Sequence, residues 1–345
     1  MTDSPPAPLK PGNAAILLGI GLAWLFALLW ALRASLAESG GMDSGLISAA
    51  QNLFQLVAVV LAAGAAAGLC AVATLRFATT GPKRLAVSAG AGLLFGVLSG
   101  ALALAMIRDT RSSAVIAVCL AAAALVGGLF AAIRPVRLIA AGIAGTYAAF
   151  LAKVILNIFG PKIAPLFGAG KTIDTVNAAE NRMLLAFGVL AGIVAGVVAF
   201  RYLVRGPALH WAAYLAAGGV AGFLALLSEG FAWLTAPRLV APLADLSVIA
   251  EELLSTKIGP RVNSGIALLF AGAITATILI GRTMRPAGAE VPPAPKPEAV
   301  AFPADADQPE PVSVFGTPLP AAAPATVPAA APAAAPESRE EASKS

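Results

Sequence analysis

Charged residues are scarce in this chain. They make up 12% of its 345 residues, whereas 59% of the residues are hydrophobic. A soluble globule needs far more polar residues to cover its surface. We therefore expect an all-α polytopic membrane protein whose apolar surface faces lipid.

Histidine and cysteine are also rare, which excludes several kinds of chemistry. His210 is the only histidine, and its place beside Trp211 at a span boundary indicates an interfacial anchor rather than a ligand. Cys70 and Cys119 are predicted near opposite ends of their spans, too far apart for a disulfide. Haem, zinc and thiol catalysis lack their ligands, and no nucleophile elbow or suitably placed pair of carboxylates is evident. We expect no cofactor, no metal and no enzymatic activity.

Long apolar runs, by contrast, are abundant. A membrane helix needs roughly 20 apolar residues, and eight runs of about that length predict eight transmembrane helices. The first could be a signal peptide, but its run is longer than the roughly 7 to 15 residues of a secretory core and its leader is hardly basic, which favours an uncleaved helix. The spans are predicted at about 14–32, 55–75, 85–107, 114–133, 138–159, 183–203, 210–234 and 264–281.

Alternate connections between these spans are purely basic. By the positive-inside rule they face the cytoplasm, which places both termini there and the protein in the cell inner (plasma) membrane. No nucleic-acid partner is expected, because the positive charge is explained by topology. The basic residues are Arg76, Lys83, Arg84, Arg134, Arg137, Arg201 and Arg205.

The chain looks duplicated. The segment 49–52 resembles 178–181, the Gly81-Pro82 turn resembles Gly206-Pro207, and Arg134-Pro135 resembles Arg285-Pro286. This pattern predicts a disordered leader at 1–13 and two parallel four-helix repeats at 14–135 and 136–285. Three two-helix hairpins flanked by single helices are the alternative.

A polar stretch precedes the last span. Apolar residues recur at helical spacing over about 242–258, which predicts an amphipathic helix on the outer membrane surface. A helix that caps the bundle without touching lipid fits the pattern equally well. Before the sixth span, Asp174 is placed to act as an N-cap.

Glycines at four-residue spacing predict faces where helices approach closely, because small residues allow tight backbone contact in lipid. Glycines that line a solute path are the alternative. The glycines are Gly64, Gly68, Gly92, Gly96, Gly100, Gly188, Gly192, Gly196, Gly218 and Gly222.

Few polar residues fall inside the spans. Lys153 and Asn157 share a face of the fifth span, and Ser228 and Glu229 lie near the end of the seventh. Because polar groups are costly in lipid, these four are the candidate intramembrane site, with a Lys153–Glu229 ion pair conceivable. Snorkelling to the outer surface would explain them as well.

The last residues differ in composition from the rest. Residues 286–345 hold 14 of the 26 prolines in an alanine-rich background, which predicts a disordered Pro/Ala-rich cytoplasmic tail. It could be a spacer, or it could recruit a protein partner through the apolar segment 312–319.

Two functions fit these features. The favoured one is a permease-like transporter of a small or apolar solute or lipid, because a duplicated bundle can enclose a path between its halves. The alternative is a membrane scaffold or accessory subunit that recruits a partner through its tail. The oligomeric state is not determined by the sequence.

Overall fold

The structure, a computed structural model, describes the backbone of residues 11–38, 42–75, 81–106, 110–170, 172–207, 209–240 and 247–283 and most of their side chains. Within these ranges the protein is helical and has no strand. A 3-10 turn, Ala164–Phe167, follows the fifth helix. The helices are α1 (Pro11–Glu38), α2 (Met42–Thr74), α3 (Gly81–Met106), α4 (Thr110–Phe130), α5 (Val136–Ile163), α6 (Ile173–Val204), α7 (Trp211–Val240) and α8 (Ser247–Thr283).

All eight helices are long and apolar enough to cross a membrane. Large hydrophobic side chains on their outer faces are exposed, including Leu94, Leu98 and Val118. Such a surface is stable only against lipid. The expected fold class, an all-α multi-pass membrane protein, is confirmed in the described helices. The predicted tail at 286–345 and most of the predicted leader lie outside the described residues.

Helix α2 is the centre of the bundle. In its membrane span 78% of the residues are buried, against 28 to 50% for the other seven spans. It contacts α1, α3, α4, α5 and α7. Leu53, Leu61 and Leu69 recur on it at a spacing of eight residues and are completely buried. Since α2 packs on all sides, it is apolar around its whole circumference.

Helix α4 lies against glycines of two neighbouring helices. A Cβ atom on Gly64 of α2 or on Gly92 of α3 would lie 2.5 Å from the carbonyl oxygen of Ala124. Gly96 packs on Ala121 of α4, and Gly68 and Gly100 also face α4. The absence of side chains at these positions brings the backbones into direct contact.

Helix α8 has the same relation to α6 and α7. On α6, Gly188, Gly192 and Gly196 pack against Ser264, Leu268 and Gly272 of α8. On α7, Gly218 contacts Gly272, and Gly222 contacts Leu269. All ten glycines identified from the sequence therefore lie where one helix backbone meets another.

The end of the bundle that carries the turns α2–α3, α4–α5 and α6–α7 is here named the basic end. Two arginines form hydrogen bonds between helices at this end. Arg84 is buried and donates hydrogen bonds to the carbonyls of Ala131, at 2.9 Å, and Ile133, at 3.3 Å. Arg137 donates to the carbonyl of Leu203 at 3.0 Å. Ala131 and Ile133 lie in the turn directly after α4, and Leu203 lies in the last turn of α6. The two guanidinium groups therefore bond to carbonyls at the C-terminal ends of these helices, where intrahelical partners are lacking. The opposite end is named the far end.

Two local details differ from the sequence-based expectations. The N-cap of α6 is Thr172, which accepts a hydrogen bond from the Thr175 amide at 3.4 Å, and Asp174 lies in the first turn instead. The helix expected at about 242–258 is not separate within the described residues, because helical structure begins at Ser247 and continues unbroken to Thr283. Pro260, which suggests a boundary in the sequence, lies inside α8. Residues 241–246 and the side chains up to 258 are outside the described part, so contact of this segment with the membrane surface stays a prediction.

Candidate functional site

A cavity of about 410 Å³ lies between α1 and α2 on one side of the bundle and α5 to α8 on the other. Ligand sites in proteins typically span about 300 to 1,000 Å³, so this volume is large enough for a small molecule. Its polar lining consists of Gln55, Lys153, Asn157, Glu180, Ser228, Glu229, Arg261 and Ser264.

The structure brings the four candidate residues from the sequence together in this cavity. Lys153 and Asn157 reach it from α5, one helical turn apart, while Ser228 and Glu229 reach it from α7. Ser228 and Glu229 are buried, Lys153 is half-buried and Asn157 is exposed. The fold therefore brings together polar side chains that are distant in the sequence.

Lys153 and Glu229 influence each other through space. Each contributes to the electrostatic environment of the other. Neither forms a hydrogen bond or a direct ion pair with another described residue. The conceivable Lys153–Glu229 ion pair is thus an electrostatic interaction between two lining residues rather than a direct contact. Glu229 is only 8% exposed, so its carboxylate is held among protein atoms and not in bulk water.

Arg261 and Glu180 complete the charged lining, and they are not among the four site residues expected from the sequence. Arg261 interacts electrostatically with Glu229 and Glu180. Its Cζ atom lies 4.3 Å from the centroid of the Phe54 ring of α2, in a cation–π contact. These residues were missed because the predicted spans began at 183 and 264, three residues, or about one helical turn, after Glu180 and Arg261.

A spacing signal could have revealed these two residues. Arg261, Ser264 and Gly265 lie at i, i+3 and i+4 of α8, and Glu180 and Leu184 lie at i and i+4 of α6. Residues at such spacing share one helix face. Both sets line the cavity.

The two serines of the cavity are anchored by hydrogen bonds. Ser264 Oγ donates to the carbonyl of Leu184 at 2.9 Å and so joins α8 to α6. Ser228 Oγ donates to the carbonyl of Ala225 within its own helix, at 2.7 Å. A hydroxyl that bonds back to its own helix satisfies its hydrogen-bonding needs locally. The Ser228 hydroxyl therefore forms part of the cavity wall, but its proton is already donated within α7.

Aromatic rings form the apolar part of the lining. Trp24 of α1 and Phe150 of α5 meet edge to face, with ring centroids 6.4 Å apart. Tyr147 lies one turn before Phe150, at a centroid distance of 6.4 Å from it, and its ring is outside the lining. The Tyr147 hydroxyl is buried against Gly21 and has no hydrogen-bond partner among the described residues. This aromatic cluster separates the cavity from the middle of the bundle.

The cavity lies towards the far end. At ~1.5 Å per residue, Lys153 is about 26 Å along α5 from Val136, and Glu229 is about 27 Å along α7 from Trp211. Tyr147 is only about 16 Å along α5, near the middle of a hydrocarbon core that is ~30 Å thick. Lys153 and Glu229 therefore lie in the far third of their membrane-spanning segments.

The residues of the cavity are suited to binding. Carboxylates, an ammonium, a guanidinium, an amide and aromatic rings offer charge complementarity and apolar contact. Among the described residues, no group of three or more His, Cys, Asp and Glu side chains could hold a metal ion. Cys70 and Cys119 are both free thiols.

Comparisons with protein-family models, with curated proteins and with solved structures found no match to this chain.

Proposed function

We propose that this membrane protein is a permease-like transporter that binds a small solute in the cavity between α1–α2 and α5–α8. One observation carries the proposal: opposite charges from four helices converge on one cavity inside the membrane region. The charged lining favours a small polar solute over an apolar solute or a lipid. The proposed role is transport rather than catalysis.

The energetic argument begins with the charges themselves. Ionisable side chains within membrane spans are expensive, and they mark substrate or ion pathways more often than structural contacts. A purely structural charge pair would gain most from direct contact. Lys153 and Glu229 both line the cavity and interact electrostatically without such contact, which is the arrangement expected of groups that bind a solute.

The arrangement of the helices supports two related halves, 14–135 and 136–285. In each half the second helix contacts the first, third and fourth, and the third and fourth helices pack closely. In each half the fourth helix also receives glycines from the second and third. Two such halves, related by an axis along the membrane normal, could rock against each other around the cavity.

Side chains of α1, α2 and α5 pack together on the side of the cavity that faces the basic end. Below the cavity, Tyr147 packs on Gly21 and Ala63 packs on the same glycine. Val60 and Ala63 of α2, which follow the lining residues Ala58 and Val59 in the chain, are buried. Transport therefore requires α1 and α5 to separate near Tyr147 while the far end closes. We place the basic end in the cytoplasm of the cell inner membrane, because its turns carry the unopposed positive charge.

Cysteine accessibility tests this proposal without knowledge of the solute. Ser228→Cys, in a background with Cys70→Ala and Cys119→Ala, places a thiol in the cavity wall. A membrane-impermeant maleimide is applied to right-side-out and to inverted membrane vesicles. Alternating access predicts labelling from both sides, because the cavity opens to each side in turn.

The matched control is Ser99→Cys in the same background. Ser99 is buried like Ser228 but lies on α3, where its hydroxyl bonds to the carbonyl of Phe95 at 2.8 Å, and it does not line the cavity. It should be labelled from neither side. Labelling of Ser228→Cys from one side only would contradict the transport proposal and favour a scaffold or accessory subunit.

A further inference from the structure

The charges around the cavity are balanced, and this balance bears on the kind of solute. Lys153 and Arg261 contribute two cationic groups, and Glu180 and Glu229 contribute two anionic groups. All four are on α5 to α8, whereas α1 and α2 contribute Trp24 and other largely apolar residues. A solute in this cavity would meet both signs of charge on α5 to α8 and apolar surface on both sides of the cavity.

Arg261 and Glu180 are already engaged with their neighbours. Arg261 stacks on Phe54 and interacts electrostatically with Glu180 and Glu229. Lys153 and Glu229 are different, because neither has a hydrogen bond or direct ion pair to another described residue. Glu229 is more than nine-tenths buried and faces the cavity. These two side chains are therefore the groups best placed to bind a solute directly.

A solute with a single charge would satisfy one of the two groups and repel the other in a medium of low dielectric constant. A neutral solute would leave both without a charged hydrogen-bond partner among the described residues. A zwitterion matches both, because its anionic group pairs with the ammonium and its cationic group pairs with the carboxylate. Charge-assisted hydrogen bonds of this type are the strong ones.

The volume sets an upper limit on size. About 410 Å³ corresponds to roughly 14 water molecules at ~30 Å³ each, hence to a solute of on the order of 14 non-hydrogen atoms or fewer. Trp24, Phe150 and Phe187 line the same cavity and offer a surface for an apolar group on the solute.

We propose that the cavity binds a small zwitterion, such as a free α-amino acid with an apolar side chain, through Lys153 and Glu229. The anionic group faces Lys153, the cationic group faces Glu229, and the apolar part packs on the aromatic rings. This inference rests on the proposed transport function and specifies its substrate class.

Charge-edited probes test the inference. Isothermal titration of the full-length protein in detergent micelles uses leucine, phenylalanine and proline, each with its C-terminal amide and its N-acetyl derivative. The amide lacks the anionic group, and the acetyl derivative lacks the cationic one. At least one zwitterion should bind, and each edit should weaken its binding by on the order of tenfold or more, since each removes a hydrogen bond between charged groups.

Two variants provide a second, independent readout. Glu229→Gln removes the negative charge that pairs with the cationic group, so the acetyl derivative should bind at least as tightly as the parent zwitterion. Lys153→Gln should shift the preference towards the amide. A shifted preference is a positive signal that an unfolded protein cannot give. Asp174→Asn is the matched control, because Asp174 is exposed and does not line the cavity, and its preference should equal that of the wild type.

The inference is overturned if no zwitterion of the panel binds, if the edited probes bind as tightly as their parents, or if the two substitutions leave the preference unchanged. Failure of the transport proposal looks different. In that case a zwitterion binds with the expected dependence on Lys153 and Glu229, but Ser228→Cys is labelled from one side only. Two-sided labelling without zwitterion binding would overturn the substrate class alone.

Discussion

Replacing Gly92 with alanine should loosen the contact between α3 and α4. The new Cβ atom would lie 2.5 Å from the carbonyl oxygen of Ala124, about 0.9 Å closer than the 3.4 Å at which ordinary contact begins. It would also lie 2.8 Å from the Cα atom of Gly128. Because these neighbours are backbone atoms of a packed helix, relief requires the helices to separate.

The magnitude follows from a comparison within one helix. Gly90 lies two residues earlier on α3, and a Cβ atom there would have no neighbour within 4 Å. Alanine raises helix propensity by about 0.5 to 1 kcal/mol at either position, so this gain cancels between Gly92→Ala and Gly90→Ala. Overpacking of a tight contact costs typically ~1 to 3 kcal/mol. We expect Gly92→Ala to be less stable than Gly90→Ala by that amount.

The assay is equilibrium unfolding in mixed micelles with increasing SDS, followed by tryptophan fluorescence. The free energy of unfolding is compared for the wild type, Gly90→Ala and Gly92→Ala. If the free energies of unfolding of the two variants differ by less than about 0.5 kcal/mol, the backbones of α3 and α4 do not approach closely at Gly92, and the reasoning is refuted.

The same assay checks three further substitutions. Arg84→Gln should lower the free energy of unfolding by about 1.5 to 3 kcal/mol, because a charged hydrogen-bond donor to the chain at the end of α4 is lost. Lys83 is exposed, so the control Lys83→Gln should change it by less than about 0.5 kcal/mol. Equal effects of the two substitutions would contradict a stabilising role of the Arg84 hydrogen bonds. Tyr147→Phe should be neutral or stabilising by up to about 1 kcal/mol, because it removes a buried hydroxyl without a partner among the described residues. A clear loss of stability would show that the hydroxyl is paired. Ser264→Ala should lower the free energy of unfolding by ~0.6 kcal/mol and at most ~1.7 kcal/mol, the range for hydrogen bonds between membrane helices, and an unchanged value would argue against its bond to Leu184.

The number and type of helices could be predicted from sequence because lipid imposes a strong rule. An apolar run of sufficient length has few alternatives to a spanning helix. The ends were less predictable. Thr172 rather than Asp174 caps α6, because either side chain could accept the bond and the path of the preceding chain decides between them. Pro260 lies within α8, although proline usually marks a helix boundary.

Half of the charged site could be predicted from sequence. Lys153 and Glu229 stand out because each interrupts an apolar span. Arg261 and Glu180 each lie three residues before a predicted span, in segments that read as polar connections, where charge is ordinary and carries no signal by itself. Their place in the cavity depends on how α8 and α6 pack against α2 and α5, which follows from long-range packing that local sequence does not specify.

The basic turns illustrate a second limit. Their composition is sufficient to propose an orientation in the membrane. It does not reveal that Arg84 is buried and bonded to the end of α4, or that Arg137 is bonded to the end of α6. Those contacts join residues 47 and 66 positions apart in the chain, so only the folded bundle brings them together.

The most direct test of the central claim is solute exchange in proteoliposomes that contain the full-length protein. The labelled probe is whichever zwitterion of the panel binds most tightly, and protein-free liposomes give the background. The account predicts exchange above background for the wild type and for Asp174→Asn, and its loss in Glu229→Gln. A probe that binds in a Glu229-dependent manner but is not exchanged by the wild type would contradict the claim that this protein is a transporter.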